Sequence, residues 1–152
     1  MKAFTIGVDY GTNSVRAVVI DCADGREVGA HVFNYPSGHQ GILLDPSDHN
    51  LARQNPADYV QGLEETVVGA LTAAEASGEF KRDAVIGIGV DTTGSTPIPV
   101  NGDCVPLGMT EAFKDNLNAQ AWLWKDHTAA DEANTITKLG FEHRPHFLAK
   151  CG

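Results

Sequence analysis

The sequence predicts a mixed α/β unit: three antiparallel strands, then a crossover helix, then a buried strand running parallel to the first. Three observations carry this. Residues 3–9 ("AFTIGVD") and 14–21 ("SVRAVVID") are β-rich runs separated by a tight polar turn, the pattern of a hairpin. Residues 55–77 hold one long amphipathic pattern. "DAVIGIGVDTTGS" is a continuous apolar run ending in a polar cluster, as in strands covered on both faces.

Each element follows from its local chemistry. Asp24-Gly25 is a turn signal, and "EVGAHVFNYP" after it reads as the third strand, ended by Pro36. Residues 37–54, "SGHQGILLDPSDHNLARQ", are long for a connector and read as a surface excursion or a functional loop. Asn55 is placed to cap the helix, Pro56 suits its first position, and Asp58 falls in its first turn. Tyr59, Leu63, Val67 and Leu71, with Val60 and Val68 beside them, form the expected apolar face. Glu64 and Glu65 lie opposite, and the acidic residues of this helix read as a solvated face. "TPIPVNGDCVPLG" reads as a short hairpin around Asn101-Gly102. Residues 116–140 read as a second helix, capped by Asn116 and stopped by Gly140, with "HRPH" at 143–146 as a loop. This order is that of a ribonuclease-H-like unit. Such sheets place ligands at the carboxyl ends of their strands, where the polar clusters after residues 8 and 90 both lie.

Composition narrows the function classes. A chain of 152 residues, 42% apolar, suits one domain with a packed core. A formal net charge of −9 gives no electrostatic footprint for nucleic acid or an anionic membrane, so neither is expected as a partner. Any anion must therefore be held by local N–H groups or a metal. Asp9 interrupts the first apolar run too early for a signal peptide, and no stretch approaches the roughly 18 apolar residues of a membrane span. Cys22, Cys104 and Cys151 are widely spaced and odd in number, which fits reduced thiols in a cytoplasmic protein. The six histidines form no metal-ligand spacing.

The stretch "DYGTNSVR" carries the first candidate chemistry. Gly11 permits close approach of a ligand to the backbone, and Thr12, Asn13 and Ser14 add donors to a turn that can form an anion-binding nest. Asp9, at a strand end, is placed to hold Mg²⁺ directly or through water. The competing reading is an Asx-type turn in which Asp9 bonds its own backbone. In "DTTGST", Asp91 and the threonines could equally satisfy a strand-ending turn. Trp122 and Trp124 are two apart, so one reads as core and one as a cleft wall.

"GVDYGTNSVRAVVID" resembles the first phosphate-binding hairpin of the actin/Hsp70/sugar-kinase superfamily. "FNYPSGHQGILLDPSDHNLARQNPADY", "VIGIGVDTTGSTPIPVN" and "AQAWLWKDHTA" narrow the likeness to the FGGY carbohydrate kinases, and within them to the L-ribulokinase branch. The resemblance runs from about residue 4 to the end. It implies ATP and Mg²⁺ as cofactors, with Asp9 positioning the metal–phosphate group and Gly11, Thr12, Asn13 and Ser14 lining the phosphate hairpin. Arg16 matches the pattern's arginine, or serves as a structural ion-pair partner. The resemblance also implies that Thr93, Gly94 and Ser95 contact a ketose or polyol, L-ribulose above all. Asp126 would bond sugar hydroxyls or support the cleft, with Lys125 a weaker candidate beside it. Other branches show W-x-D-x-R here; Thr128 stands where that arginine would be, so its role does not transfer.

Phosphoryl transfer to a hydroxyl needs a base, usually an Asp. In this family that Asp, the second phosphate loop and the adenosine pocket are expected beyond residue 152. The chain therefore reads as the N-terminal part of the first kinase domain, inactive by itself because catalysis needs two domains to close. A non-catalytic nucleotide-binding module of the same superfamily is the rival reading, and a homo-oligomer is left open.

Overall fold

The β1–β2 hairpin anchors the fold. The structure, a computed structural model, describes residues 2–151. Strands β1 (Phe4–Tyr10) and β2 (Ser14–Asp21) pair antiparallel with Asp9 opposite Arg16, and β3 (Glu27–Asn34) continues the meander. A short hairpin of β4 (Leu43–Asp45) and β5 (Asp48–Gln54) precedes helix α1 (Pro56–Glu75). Strand β6 (Val85–Thr92) then returns parallel to β1, giving the sheet order β3-β2-β1-β6. Strand β7 (Ala121–Trp122) pairs with β5 in a second small sheet, and helices α2 (Ala130–His143) and α3 (Pro145–Cys151) follow. The expected mixed α/β order is present, with the crossover helix and the parallel strand.

Alternation along β1 and β2 sends Phe4, Ile6, Val8, Val15, Ala17 and Val19 to one face, where they form the core with Ala70, Ala74 and Phe80. Asn55 caps α1 as its sequence suggests, accepting from Ala57 N at 3.0 Å. The buried line of α1, however, is Asp58, Gly62, Thr66, Ala70 and Ala74, one position before the apolar face expected from spacing. The reason is closeness. A β-carbon on Gly62 would stand 2.5 Å from Val15 Cγ1, and Gly69 is pressed on the His31 ring, so only small residues admit the helix to the sheet. Tyr59, Val67 and Leu71 pack along the flank of that contact, while Val60 and Val68 point outward. Asp58 is likewise no part of a solvated face: it is buried and accepts from Ser37 N and Oγ at 3.1 and 2.8 Å.

Three other expectations are corrected. Strand β6 is parallel but uncovered: Ile86, Ile88 and Val90 are 73%, 59% and 61% exposed, because α1 lies over β2 and β3. Residues 37–54 end in a strand whose last four residues, Leu51 to Gln54, are buried. The segment 116–140 is not one helix. Asn116 caps only the 3-10 turn Leu117–Ala119; Trp122 then donates to Pro97 O at 2.9 Å and pairs with Arg53. Those tertiary backbone bonds outcompete helix formation until residue 130, and the helix passes Gly140 to end at His143. Pro145 opens α3, so residues 143–146 are a helix–helix junction. The turn around Asn101-Gly102 forms as expected, with Val100 bridging Pro106 and Asn101 Oδ1 accepting from Asp103 N and Val105 N. Cys22 and Cys104 are exposed and unbonded; the Cys151 side chain lies outside the described residues.

Candidate functional site

The carboxyl ends of β1 and β6 stand side by side, with Asp9 in register with Asp91 and Tyr10 with Thr92. Both polar clusters therefore leave the sheet at one point. Thr93 N donates to Tyr10 O at 3.1 Å, stitching the second cluster to the first strand. Thr12, Thr93, Gly94, Ser95 and Trp124 line one pocket of about 530 Å³. Of the hairpin candidates, Thr12 lines this pocket, whereas Asp9 and Arg16 line a separate cavity with Asp91, and Gly11 lines another with Thr92 and Thr93.

The hairpin tip is tight. Gly11 N donates to Ser14 O at 2.8 Å, and a β-carbon on Gly11 would press on that carbonyl at 3.2 Å. Asp9 forms an ion pair with Arg16 across the β1–β2 register. The two side chains are 47% and 56% exposed, so the carboxylate faces solvent while held. Its alternative as a self-bonding Asx turn is not what the geometry displays. Asn13 Nδ2 donates to Gln40 O at 2.7 Å and so ties the tip to the following loop. Ser14 opens β2, opposite Asn34. Thr12 is the tip residue that enters the pocket: its Oγ1 accepts from Trp124 Nε1 at 3.1 Å, which leaves its own proton free to donate outward.

On the other wall, Ser95 adopts a left-handed backbone (φ 59°), and a side chain at Gly94 would meet no protein atom within 4 Å. Position 94 thus opens onto free pocket space. Thr93 Oγ1 lies 3.5 Å from Thr96 Oγ1. Asp91 Oδ1 accepts from Thr92 N at 2.9 Å, the local strand-ending bond its position suggests.

Of the two tryptophans, Trp124 is the cleft wall at 49% exposure, and Trp122 packs under the Arg53 guanidinium at 3.8 Å. Lys125 does not line the pocket; its ammonium sits 5.2 Å from the Trp124 ring centroid. Asp126 is turned away from the pocket. Its side chain is 5% exposed and pairs with the buried Arg53. Its oxygens also accept from Ala52 N at 2.8 Å, Thr128 N at 3.1 Å and Thr128 Oγ1 at 2.5 Å. Of its two expected roles, support of the cleft is the one this geometry serves.

Sequence reasoning missed the residues behind the site. Gln54, 2% exposed, donates to Thr12 O at 2.8 Å and accepts from Tyr59 Oη at 2.7 Å. Burial pushes the phenols of Tyr59 and Tyr10 upward, which keeps Tyr59 a protonated donor. A run ending "ARQ" inside a polar stretch gives no local hint of this.

The solvent-facing Asp9 carboxylate at the end of β1 suits contact with a hydrated divalent cation. Among the described residues no group of three or more His, Cys, Asp or Glu could hold a metal unaided. Such an ion would therefore need ligand oxygens from water and phosphate. Nor is any described helix long and apolar enough to cross a membrane.

No family model matches the chain. It is 39% identical over 153 aligned positions to a ribulokinase of Halalkalibacterium halodurans, across 98% of this chain and 26% of that protein. It is 36% identical over 134 positions to a ribulokinase of Vibrio parahaemolyticus, across 88% of this chain and 23% of that protein. The chain thus spans about a quarter of the length of the curated relatives it matches. Among solved structures, a gluconate kinase from Lactobacillus acidophilus superposes with a TM-score of 0.66 at 16% identity, over 93% of this chain and 23% of that one. A Plasmodium falciparum glycerol kinase with ADP gives 0.62 at 14% identity, over 90% of this chain and 23% of that one. These two likenesses show a shared fold. Along essentially its whole length the chain is thus 37–39% identical to several ribulokinases, and it shares its fold with sugar kinases of known structure.

Proposed function

We propose that this chain is the N-terminal part of the first domain of an ATP-dependent ribulokinase, a cytoplasmic enzyme of arabinose or ribulose catabolism. The observation that carries the reading is the single pocket that Thr12 of the hairpin shares with Thr93, Gly94, Ser95 and Trp124. A phosphate donor held at the hairpin would there lie against an acceptor held by the second cluster. The uncovered apolar face of β6 supports a longer protein whose remaining domain packs on it.

In this reading Asp9 would orient the waters of a bound Mg²⁺, and Thr12 and Ser14 would present hydroxyl donors to ATP phosphates beside the turn that Gly11 keeps tight. Arg16 pairs with the Asp9 carboxylate and fixes it at that place. Mg²⁺ when bound supplies neutralisation of the phosphate charge, which is most of what phosphoryl transfer requires of its catalyst. Thr93 and Ser95 offer hydroxyls to the ketose, Gly94 leaves room for its carbon chain, and Trp124 gives the C–H face of the sugar an apolar wall. The base that takes the proton from the attacking hydroxyl lies outside these residues.

The test is a coupled ADP-release assay. The full-length protein should turn over L-ribulose in preference to xylulose, ribitol or glycerol, and the 152-residue chain alone should give no ADP above background. Preference for another polyol would move the enzyme within the family. No ketose turnover or binding by the folded full-length protein would favour a nucleotide switch instead.

A further inference from the structure

We propose that Arg53 is a positioning residue of the sugar-side wall, acting from β5 through Asp126 on Trp124; the effect on the ketose rests on the kinase reading above. A guanidinium that is 1% exposed has given up its water and depends on a counter-charge, the more so here because Nε and Nη1 have no hydrogen-bond partner among the described residues. Asp126 is that counter-charge, and the Trp122 ring covers the guanidinium face. Thr128 Oγ1 faces Arg53 Nη2 at 3.5 Å and donates to Asp126 at 2.5 Å. The charge that reaches Asp126 therefore comes from a neighbouring strand.

The consequence is geometric. Leu123 N donates to Ala52 O at 3.1 Å and His127 N to Asn50 O at 2.8 Å, so both ends of the 123–127 loop are pinned to β5. Trp124 lies between these pins, exposed, with its indole N–H on Thr12. Gln54, next to Arg53, holds the Thr12 carbonyl from the same strand. The end of β5 thus fixes the spacing between hairpin tip and aromatic wall. Lysine cannot replace Arg53 here, because a compact ammonium has neither the planar face for Trp122 nor a second nitrogen to face Thr128.

The test uses full-length protein labelled with 5-fluorotryptophan, with the Trp124 resonance assigned by its loss in Trp124→Phe. Arg53→Lys should displace or broaden that resonance. It should also raise KM for the ketose about tenfold, with kcat and KM for ATP within about twofold. Thr128→Ala, which spares the buried charge pair, should move the same resonance by less, and it serves if Arg53→Lys does not fold. An unchanged Trp124 resonance in a folded Arg53→Lys or Thr128→Ala protein would overturn the proposal. Failure of the wild-type enzyme to phosphorylate any ketose would remove the kinase reading alone, since the resonance still decides the positioning.

Discussion

Two arginine–aspartate pairs, one on the β1–β2 hairpin and one behind Trp124, are built in opposite ways. Asp9–Arg16 spans adjacent strands in the open, with both side chains about half exposed. Arg53–Asp126 joins residues 73 positions apart (126 minus 53), with side-chain exposures of 1% and 5%. An exposed pair gains little net energy, because water screens it and solvates each partner well when apart. A buried pair is different: each partner is tolerable only because the other is present, so loss of one leaves a charge stranded in low dielectric. The exposed pair can present its carboxylate to a ligand. The buried pair can only hold structure.

The largest expected effect breaks the buried pair. Asp126→Asn or Arg53→Met should each destabilise the fold by about 3–5 kcal/mol, read as a lower urea midpoint. The double variant should recover part of that loss, since no lone charge remains. A single-variant cost below about 1 kcal/mol would mean that water reaches the pair, and the contrast between the two pairs would collapse.

A smaller effect is expected at the exposed pair. Arg16→Ala should shift stability by no more than about 1 kcal/mol, with the shift shrinking further in high salt. The β1–β2 register does not depend on the pair: Tyr10 opposite Val15 and Val8 opposite Ala17 fix it by burial. Urea unfolding at low and high salt measures this. A loss as large as that of Asp126→Asn would place Arg16 in the framework rather than at the ligand.

The same division explains what could be read in the sequence. The hairpin, its polar tip and the Asn55-Pro56 helix start depend on neighbours within a few residues, and the structure has them where the sequence puts them. The buried line of α1 was misplaced by one residue because the helix packs through Gly62 and Gly69, whose fit depends on Val15, Phe33 and His31 across the sheet. Residues 116–128 carry a helical pattern, but Pro97, Asn50 and Ala52 claim their backbone. The run "ARQ" looked like loop because its two polar side chains find their partners at Asp126 and Thr12, far off in sequence. Where chemistry is local the pattern speaks. Where a distant residue replaces the solvent, it does not.

The smallest expected effect tests whether surface pairs elsewhere follow the Asp9–Arg16 rule. Glu79 accepts from Lys2 Nζ at 2.7 Å and from Arg26 Nη2 at 3.0 Å. These cations, Lys2 first, hold its carboxyl down to about 2. A folded value below the unfolded one, roughly 4.3, means that the stabilisation is fully present above that pH. It is lost as the pH falls from there through about 2, where the native carboxylate is protonated. Urea unfolding of the chain and of Glu79→Gln across that range should show a small difference at neutral pH that closes on acidification. Because all three side chains are about half exposed, ~1 M salt should close it at neutral pH as well. A difference that survives acid or salt would show that Glu79 acts through packing. It would then belong with Arg53 and Asp126, whose contribution comes from excluding water.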